Sequence, residues 1–388
     1  MNMLALLQSD GGIAGTIIWF VIFFVFIFLY PRLMLSQIIY QLEKSASKLE
    51  KMSEKSVSNI AKSTSKKTKK SLKEKINNFL QFFVVMPSDL DPYGIVKKID
   101  NTVRHMENRF ENFTDTITSK DNQKINYALR AGVGLRQIAK IVRHYVELVK
   151  KYKNLQIAMV IKMQLPKIEE IAESEYKGVT AFMKGQPVGD SIGPLVAASL
   201  MDKSKEIAED VVLCKRKLFG RNVYILKADG PDPHLGRTDE ALEKVLDKHK
   251  ISKVITVDAG LKLEGEDTGK VTEGIGFAMG GISQREIIEN VLLPKKIPID
   301  SVVVKVGMEE AILPMKKAIY EAKDKAVKKV KESIKREKKN KNIVVVGVGN
   351  SSGVGNTQRS VRDLDKTIDK IEKKLKKEKK KKEEGSWI

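Results

Sequence analysis

Residues Gly11 to Tyr30 read GGIAGTIIWFVIFFVFIFLY, twenty in succession without a charge. At about 1.5 Å rise per residue, a helix of that length is roughly 30 Å long, the thickness of a bilayer's hydrocarbon core. Tyr30 stands where an interfacial aromatic anchor belongs. A cleavable signal peptide would need a basic leading region and a small-residue cleavage site. Residues 1–10 contain no Lys or Arg, and Tyr30-Pro31-Arg32 offers no such site. The reading is therefore an uncleaved single-pass anchor, with residues 13–30 in the membrane and residues 1–12 as an external tail. Arg32 and a dense Lys run follow the span, and nothing basic precedes it. By the positive-inside rule the N-terminus faces outside and the C-terminal body is cytoplasmic.

Composition narrows the classes for that body. Lys and Arg total 71 against 49 Asp and Glu, a net charge of +22, and 42% of the 388 residues are hydrophobic. That apolar share supports a core and excludes a wholly disordered chain. The single cysteine, Cys214, excludes a disulfide framework and a thiolate zinc cage, and four histidines argue against a multi-His metal cluster.

Residues 31–80 form a basic, helix-prone stalk, with eleven Lys against four Glu between Gln41 and Leu80. The Ser/Thr- and Lys-rich stretch Ser63 to Lys70 breaks its apolar periodicity. It reads either as a solvated spacer or as a segment drawn to anionic lipid or ribosomal RNA. Residues 81–185 read as a helical domain. A turn at Met86 to Pro92 suits a helix start. The stripe Ile138, Ile141, Val142, Tyr145, Leu148, Val149, Tyr152 has helical spacing, and Ile168, Ile171, Ala172, Val179, Phe182 and Met183 continue it. Such stripes are expected to be core.

At Gly185 the pattern changes, and an α/β domain is expected over 186–350. Short β-branched runs stand at Val211–Leu213, Val223–Leu226, Val254–Val257, Val302–Val306 and Ile343–Val348. Helices are expected at Ile192–Asp210, Thr238–His249, Gln284–Leu292 and Ala311–Arg336. The alternation predicts a largely parallel, buried sheet. Residues 351–388 are a Lys-rich C-terminal helix or tail. Lys366 to Glu384 holds ten Lys and five acidic residues. With no apolar stripe demanding burial, deletion of Lys366–Lys382 is expected to leave the fold intact.

In such sheets ligands gather at the carboxyl ends of strands. Asp258 follows the strand Val254–Val257 and suits catalysis, metal ligation or the capping of a turn. Asp190, in the Gly-rich turn Gly189-Asp190-Ser191-Ile192-Gly193-Pro194, can cap a helix or face an open site. A third turn, Asp229 to Gly236, carries His234. Three polar turns with ionisable side chains form a constellation to look for.

The motifs Gly189 to Val196, Val254 to Ala259 and the glycines Gly280-Gly281 resemble the hydrogenase-maturation endopeptidases and the spore germination protease over roughly residues 186–335. The resemblance implies a phosphorylase/hydrolase-like α/β fold and functional carboxylates at the positions of Asp190 and Asp258. His234 resembles a histidine of a sporulation relative of that group, which would make Asp190, Asp258 and His234 ligands of a divalent metal. The family's acidic turn follows a strand ending in Gly-x-Gly-Asn, which here occurs only at Ile343 to Asn350. A circular permutation is therefore expected, the C-terminal strand entering the same sheet. Gly347, Gly349 and Asn350 can also cradle an anion through backbone amides, although the spacing excludes a P-loop. The whole chain, anchor included, is similar to an uncharacterised archaeal membrane-protein family.

Two functions follow. One is a membrane-anchored hydrolase, most plainly a peptidase, working through Asp190 and Asp258 as acid and base or through a metal that activates water. The other is a non-enzymatic scaffold that docks on anionic lipid, ribosome or nucleic acid through its basic segments.

Overall fold

The computed structural model describes residues 13–64, 69–81, 95–118, 121–276 and 292–385. The external tail, the turn at Met86–Pro92, Gly280-Gly281 and all but the last residue of the helix expected at Gln284–Leu292 lie outside the described residues. The chain divides into two compact units, residues 1–53 with 135–172 and residues 54–134 with 173–388. Five long helices run through them: α1 (Ile13–Thr64), α2 (Lys69–Phe79), α3 (Ile95–Ile117), α4 (Asn122–Tyr152) and α5 (Leu155–Met183).

The first unit takes its form from α1. This helix continues unbroken through Pro31, and every side chain from Ile17 to Tyr30 is exposed. With a mean hydropathy of 2.3 over its most apolar stretch, it is long and apolar enough to cross a membrane. Beyond Arg32 the pattern turns amphipathic. Leu35, Ile38, Leu42, Ala46 and Leu49, at helical three- and four-residue spacing, are buried. So are Leu135, Ala139, Val142, Val146 and Val149 of α4 and Ala158, Leu165 and Ala172 of α5. Arg143 of α4 reaches Glu50 at 2.8 Å and Glu43 at 2.5 Å, and Lys48 pairs with Glu169 of α5. The expected solvated stalk is thus packed along one face, because its lysines occupy the positions between the apolar ones.

The second unit contains a seven-stranded mixed sheet. Its strands are β1 (Lys205–Ala208), β2 (Val211–Leu218), β3 (Arg221–Ala228), β4 (Ile251–Leu261), β5 (Val271–Ile275), β6 (Ile299–Val306) and β7 (Asn342–Gly347). They lie in the order β1-β2-β3-β7-β4-β6-β5. β7 runs parallel to both β3 and β4, pairing Val345 with Ile225 on one side and Ile255 on the other. Its residues Ile343 to Val346 are buried, as an all-apolar strand covered on both faces requires. The C-terminal strand therefore lies inside the sheet beside Val254–Val257.

Four expectations about this unit need correction. The sheet is mixed: β1-β2, β2-β3 and β5-β6 pair antiparallel. β2 and β3 are joined by only Phe219-Gly220, and a two-residue link can make a hairpin but no parallel crossover. The helix expected at Ile192–Asp210 stops early, α6 spanning only Ile192–Ala198, and the edge strand β1 follows. α7 (Thr238–Lys248) matches its expected place. α8 (Lys317–Arg336) begins later than expected, since Pro314 lies in a bridge to Val188.

The fourth correction concerns the tail. α9 (Gln358–Asp363) leads into α10 (Asp365–Gly385). Leu364, Ile368 and Ile371 are buried, the first two in the same core as Val330 and Ile334 of α8. An apolar stripe does demand burial there. α6, α8, α9 and the start of α10 cover one sheet face, over Ile255, Val257, Val302 and Val345. α7 covers the other, over Val254, Val344 and Val346. The helical part of this unit has its own core, built by Ile60, Ile76, Phe110, Leu129 and Phe182.

Candidate functional site

The turns Gly189 to Pro194 and Asp229 to Gly236 meet the loop after Gly347 at the carboxyl ends of β3 and β7. The loop after β7 is the hub. The Ser351 N–H donates to His234 O at 2.9 Å, and the His234 N–H donates to Ser351 Oγ at 3.0 Å. The Gly353 N–H donates to Pro231 O at 2.8 Å, and Ser191 Oγ donates to Ser352 O at 3.2 Å. Such contacts join positions more than a hundred residues apart, so only the inserted strand β7 brings them together.

Asp190 sits in a single 3-10 turn, Gly189–Ser191, before α6. Its main chain is set by the segment ahead of α8: the Asp190 N–H donates to Ala311 O at 2.8 Å. The carboxylate does not cap α6; it accepts the Asn350 N–H at 2.8 Å. Gly349 makes this approach possible. It adopts φ +119°, and a Cβ there would lie 2.2 Å from Asp190 O. Gly193 is equally constrained, since a Cβ there would lie 2.0 Å from Val348 O and 2.5 Å from Val257 O. α6 thus rests directly on the strand ends.

Asp190 and Asn350 line a cavity of about 370 Å³ with Tyr127, Arg130, Glu175, Phe182, Val188 and Ile312, among others. Nothing local in the sequence marks Glu175. A glutamate on an amphipathic helix looks like a solvated residue, and only the packing of α5 against Gly134 of α4 turns it inward. A Cβ at Gly134 would lie 3.4 Å from the Glu175 carboxyl carbon. Burial pushes the Glu175 carboxyl up to about 7. Burial also raises Asp190, with the Asn350 N–H pulling part of the way back. Two carboxyls whose ionised forms burial disfavours therefore line one largely apolar cavity.

Arg130 supplies the fixed positive charge. Its guanidinium lies 4.6 Å from the Tyr127 ring centroid and 5.6 Å from that of Phe110. Nε donates to Asn126 Oδ1 at 2.8 Å, and Glu107 lies 3.3 Å away while also bonding Arg237 at 2.6 Å. The Tyr127 phenol, buried, is pushed up to about 12 and remains a neutral hydroxyl.

The other expected site residues lie elsewhere. Asp258 is not at a strand end: β4 continues to Leu261 because β6 pairs it to Leu261↔Val306, although pairing with β7 stops at Val257↔Gly347. By the two-residue alternation of a strand, Asp258 shares a sheet face with Val254, the face under α7. It is buried and does not line the Asp190 cavity. The His234 ring is held with Nδ1 3.2 Å from Asp229 O and Nε2 3.8 Å from Asp210. Among the described residues, no three His, Cys, Asp or Glu side chains are gathered as metal ligands. Asp190, Asp258 and His234 therefore do not fit a shared divalent metal. In the turn that holds Gly347, Gly349 and Asn350, the Asn350 N–H is taken by the protein's own Asp190 carboxyl.

A second buried ionisable group stands on the α6 face. Lys227, at the end of β3, is fully buried, its Nζ donating to Ala228 O at 2.7 Å and Asn356 Oδ1 at 2.6 Å. Asn356 in turn donates to Asp229 Oδ1 at 2.6 Å.

No curated protein and no solved structure matches the chain. Two family models do. Residues 16–185 match the model described as Protein of unknown function (DUF1512) N-terminal domain. Residues 188–355 match Domain of unknown function (DUF1512) C-terminal. Carrying both domains in order, the chain belongs to the DUF1512 family, whose function its description leaves open.

Proposed function

We propose that this chain is a membrane-anchored hydrolase, in the finer reading a peptidase, whose acid–base pair is Asp190 and Glu175. The observation that carries it is the shared cavity, whose lining holds both a carboxyl expected from the sequence and a second one with a pKa near neutrality. A group poised near the working pH can both take and give a proton, the property general acid–base catalysis needs. Asp190 and Glu175 would divide the roles as two carboxyls with separated environments do. Arg130, held over Tyr127, would orient a polar or anionic part of the substrate, while the apolar wall excludes water.

Glu175→Gln and Asp190→Asn test the reading. Both variants should fold, and both should lose hydrolysis of a fluorogenic peptide library by about a hundredfold or more. Glu175 also carries a stability signature. Its folded pKa lies above the ordinary value, so the folded state holds the proton more tightly, and that advantage fades as pH rises from about 4.5 to 7. Above pH 7, Glu175→Gln should therefore be more stable than wild type, by about 1–3 kcal/mol after allowing for partial exposure. Equal stability at pH 8 would place the carboxyl in water and remove it from the site.

In this reading α1 spans the membrane with its N-terminus outside and the body cytoplasmic, as the Arg32-led basic flank directs. Protease added to inverted vesicles should digest the body, while right-side-out vesicles should protect it; the opposite pattern reverses the orientation. A second reading, docking on anionic lipid, ribosome or nucleic acid, is favoured by the exposed lysines Lys373, Lys374, Lys376 and Lys377 of α10. It predicts binding that weakens steeply with salt in both carboxyl variants.

A further inference from the structure

The end of the sheet opposite the Asp190 turn carries a different chemistry. There the β2–β3 hairpin turn, the start of β4 and the link from α8 into β7 come together. The segments 215–222, 248–250 and 335–342 hold eleven Lys and Arg and one carboxylate, Glu337. Lys253 engages that carboxylate at 3.1 Å. Lys217, Lys250, Lys335, Lys338, Lys339 and Lys341 are exposed, and none is paired with a carboxylate among the described residues.

Hydrogen bonds fix where these lysines stand. The Asn340 N–H donates to Gly220 O at 2.8 Å, and the Asn222 N–H donates to Lys341 O at 3.0 Å. Asn342 Nδ2 donates to Lys250 O at 3.1 Å. Arg221 directs its guanidinium to main-chain carbonyls, Nε to Glu337 O and Nη2 to Lys335 O, both at 2.9 Å, and Nη1 to Phe219 O. It thereby ties the hairpin to the last turn of α8. The strands here lie in the order β2-β3-β7-β4. At about 4.8 Å between neighbours, the row from Lys217 through Lys341 to Lys250 spans roughly 15 Å. Like charges at that density repel one another and oppose folding. Being exposed, they answer no demand of the core.

Phe219 breaks a local rule within this surface. Both turn residues have positive φ, +49° for Phe219 and +77° for Gly220. A two-residue hairpin turn of that kind favours Asn-Gly, and a bulky side chain in the left-handed region is strained. The ring is not buried in return: it stays 42% exposed, with Lys335 Nζ 4.5 Å from its centroid. An open aromatic ring among unpaired lysines suits a single-stranded polynucleotide, which offers phosphates to the ammonium groups and a base face to the ring. A duplex keeps its base faces stacked inside. An interfacial contact with lipid presents a whole apolar face, where this surface has one ring.

We propose that this end of the sheet binds single-stranded nucleic acid, the lysines holding its phosphates and Phe219 stacking on a base. The site is separate from the Asp190 cavity and from the lysines of α10, and it needs neither the hydrolase reading nor a membrane span.

The test titrates the full chain, held in a neutral detergent, into a fluorescein-labelled dodeca-uridine and follows its anisotropy. Affinity should fall roughly fiftyfold between 50 and 200 mM KCl, as counterion release from about four phosphates requires. Lys250→Gln, Lys338→Gln, Lys339→Gln and Lys341→Gln together should weaken binding at least about tenfold at the lower salt and flatten the salt dependence. Phe219→Asn suits the turn better, so its urea midpoint should equal or exceed that of wild type while binding falls about tenfold. Replacing Lys373, Lys374, Lys376 and Lys377 of α10 with Gln should leave the affinity within about twofold. Wild-type affinity in the Lys250 quadruple variant or in Phe219→Asn, or a loss confined to the α10 variant, overturns the proposal. Equal affinity for a duplex of the same length overturns it too. Displacement of the oligonucleotide by phosphatidylglycerol micelles at equal charge would assign the lysines to lipid, which is equally a refutation.

Discussion

Deleting Lys366–Lys382 is expected to unfold the sheet-bearing unit, and Ile368→Ala alone should cost about 2–4 kcal/mol in urea unfolding. Ile368 is 1% exposed and packs with Val330 and Ile334 of α8 in the core that covers one sheet face. Removing the segment would open that core to water and take Ile371 with it. It would also strip the Asp369 partner from Lys317, a 3.0 Å pair that joins α8 to α10. The Tyr320 hydroxyl, which donates to Asp365 Oδ1 at 2.7 Å, would keep its partner but lose the helix that orders it. The exposed lysines provide the contrast. Replacing Lys373, Lys374, Lys376 and Lys377 with Gln should change stability by no more than about 0.5 kcal/mol each. A cooperative melt at the wild-type temperature after the deletion would show that α10 is dispensable.

The second large effect belongs to Lys227 and appears as a dependence on pH. Its Nζ finds two acceptors, Ala228 O and Asn356 Oδ1, which satisfies both N–H groups of a neutral amine but leaves an ammonium one donor short. Burial lowers its pKa to about 7, against the opposing pull of Asp229. The unfolded chain holds that proton up to about pH 10.4. Between those values the unfolded state binds more protons, so folding becomes more favourable as pH rises. Lys227→Met lacks the group and isolates the effect. The stability difference between wild type and this variant should move in favour of wild type by roughly 3 kcal/mol between pH 7 and 9.5. Urea titrations of both proteins at the two pH values measure it. A difference that stays flat would mean that Lys227 keeps its proton when folded.

Some of this architecture was legible in the residues alone. The uncharged run to Tyr30 demands an apolar surrounding whatever the rest of the chain does, and the structure leaves it bare of protein. The all-apolar Ile343 to Val346 could be satisfied only by cover on both faces, which placed it inside a sheet. The turn at Phe219-Gly220 carried a hairpin signal, yet the alternation of strands and helices around it read as parallel. In α10 the lysines outnumber the apolar residues, and the stripe Leu364, Ile368, Ile371 was lost among them although its spacing is helical.

The candidate site was legible only in part, for a physical reason. Asp190 stood out because a Gly-rich turn before a helix is a local pattern. Glu175 had no local mark, since its pKa comes from the helix that happens to lie against it. Asp258 looked terminal because β-branched residues stop at Val257, but β6 carries the pairing on to Leu261. Hydrogen-bond periodicity and hydrophobic spacing act over a few residues and can be read along the chain. Burial of a charge, the partner of a strand edge and the meeting of loops 160 positions apart, as in Asp190 and Asn350, depend on which surfaces close together, and only the tertiary structure decides that.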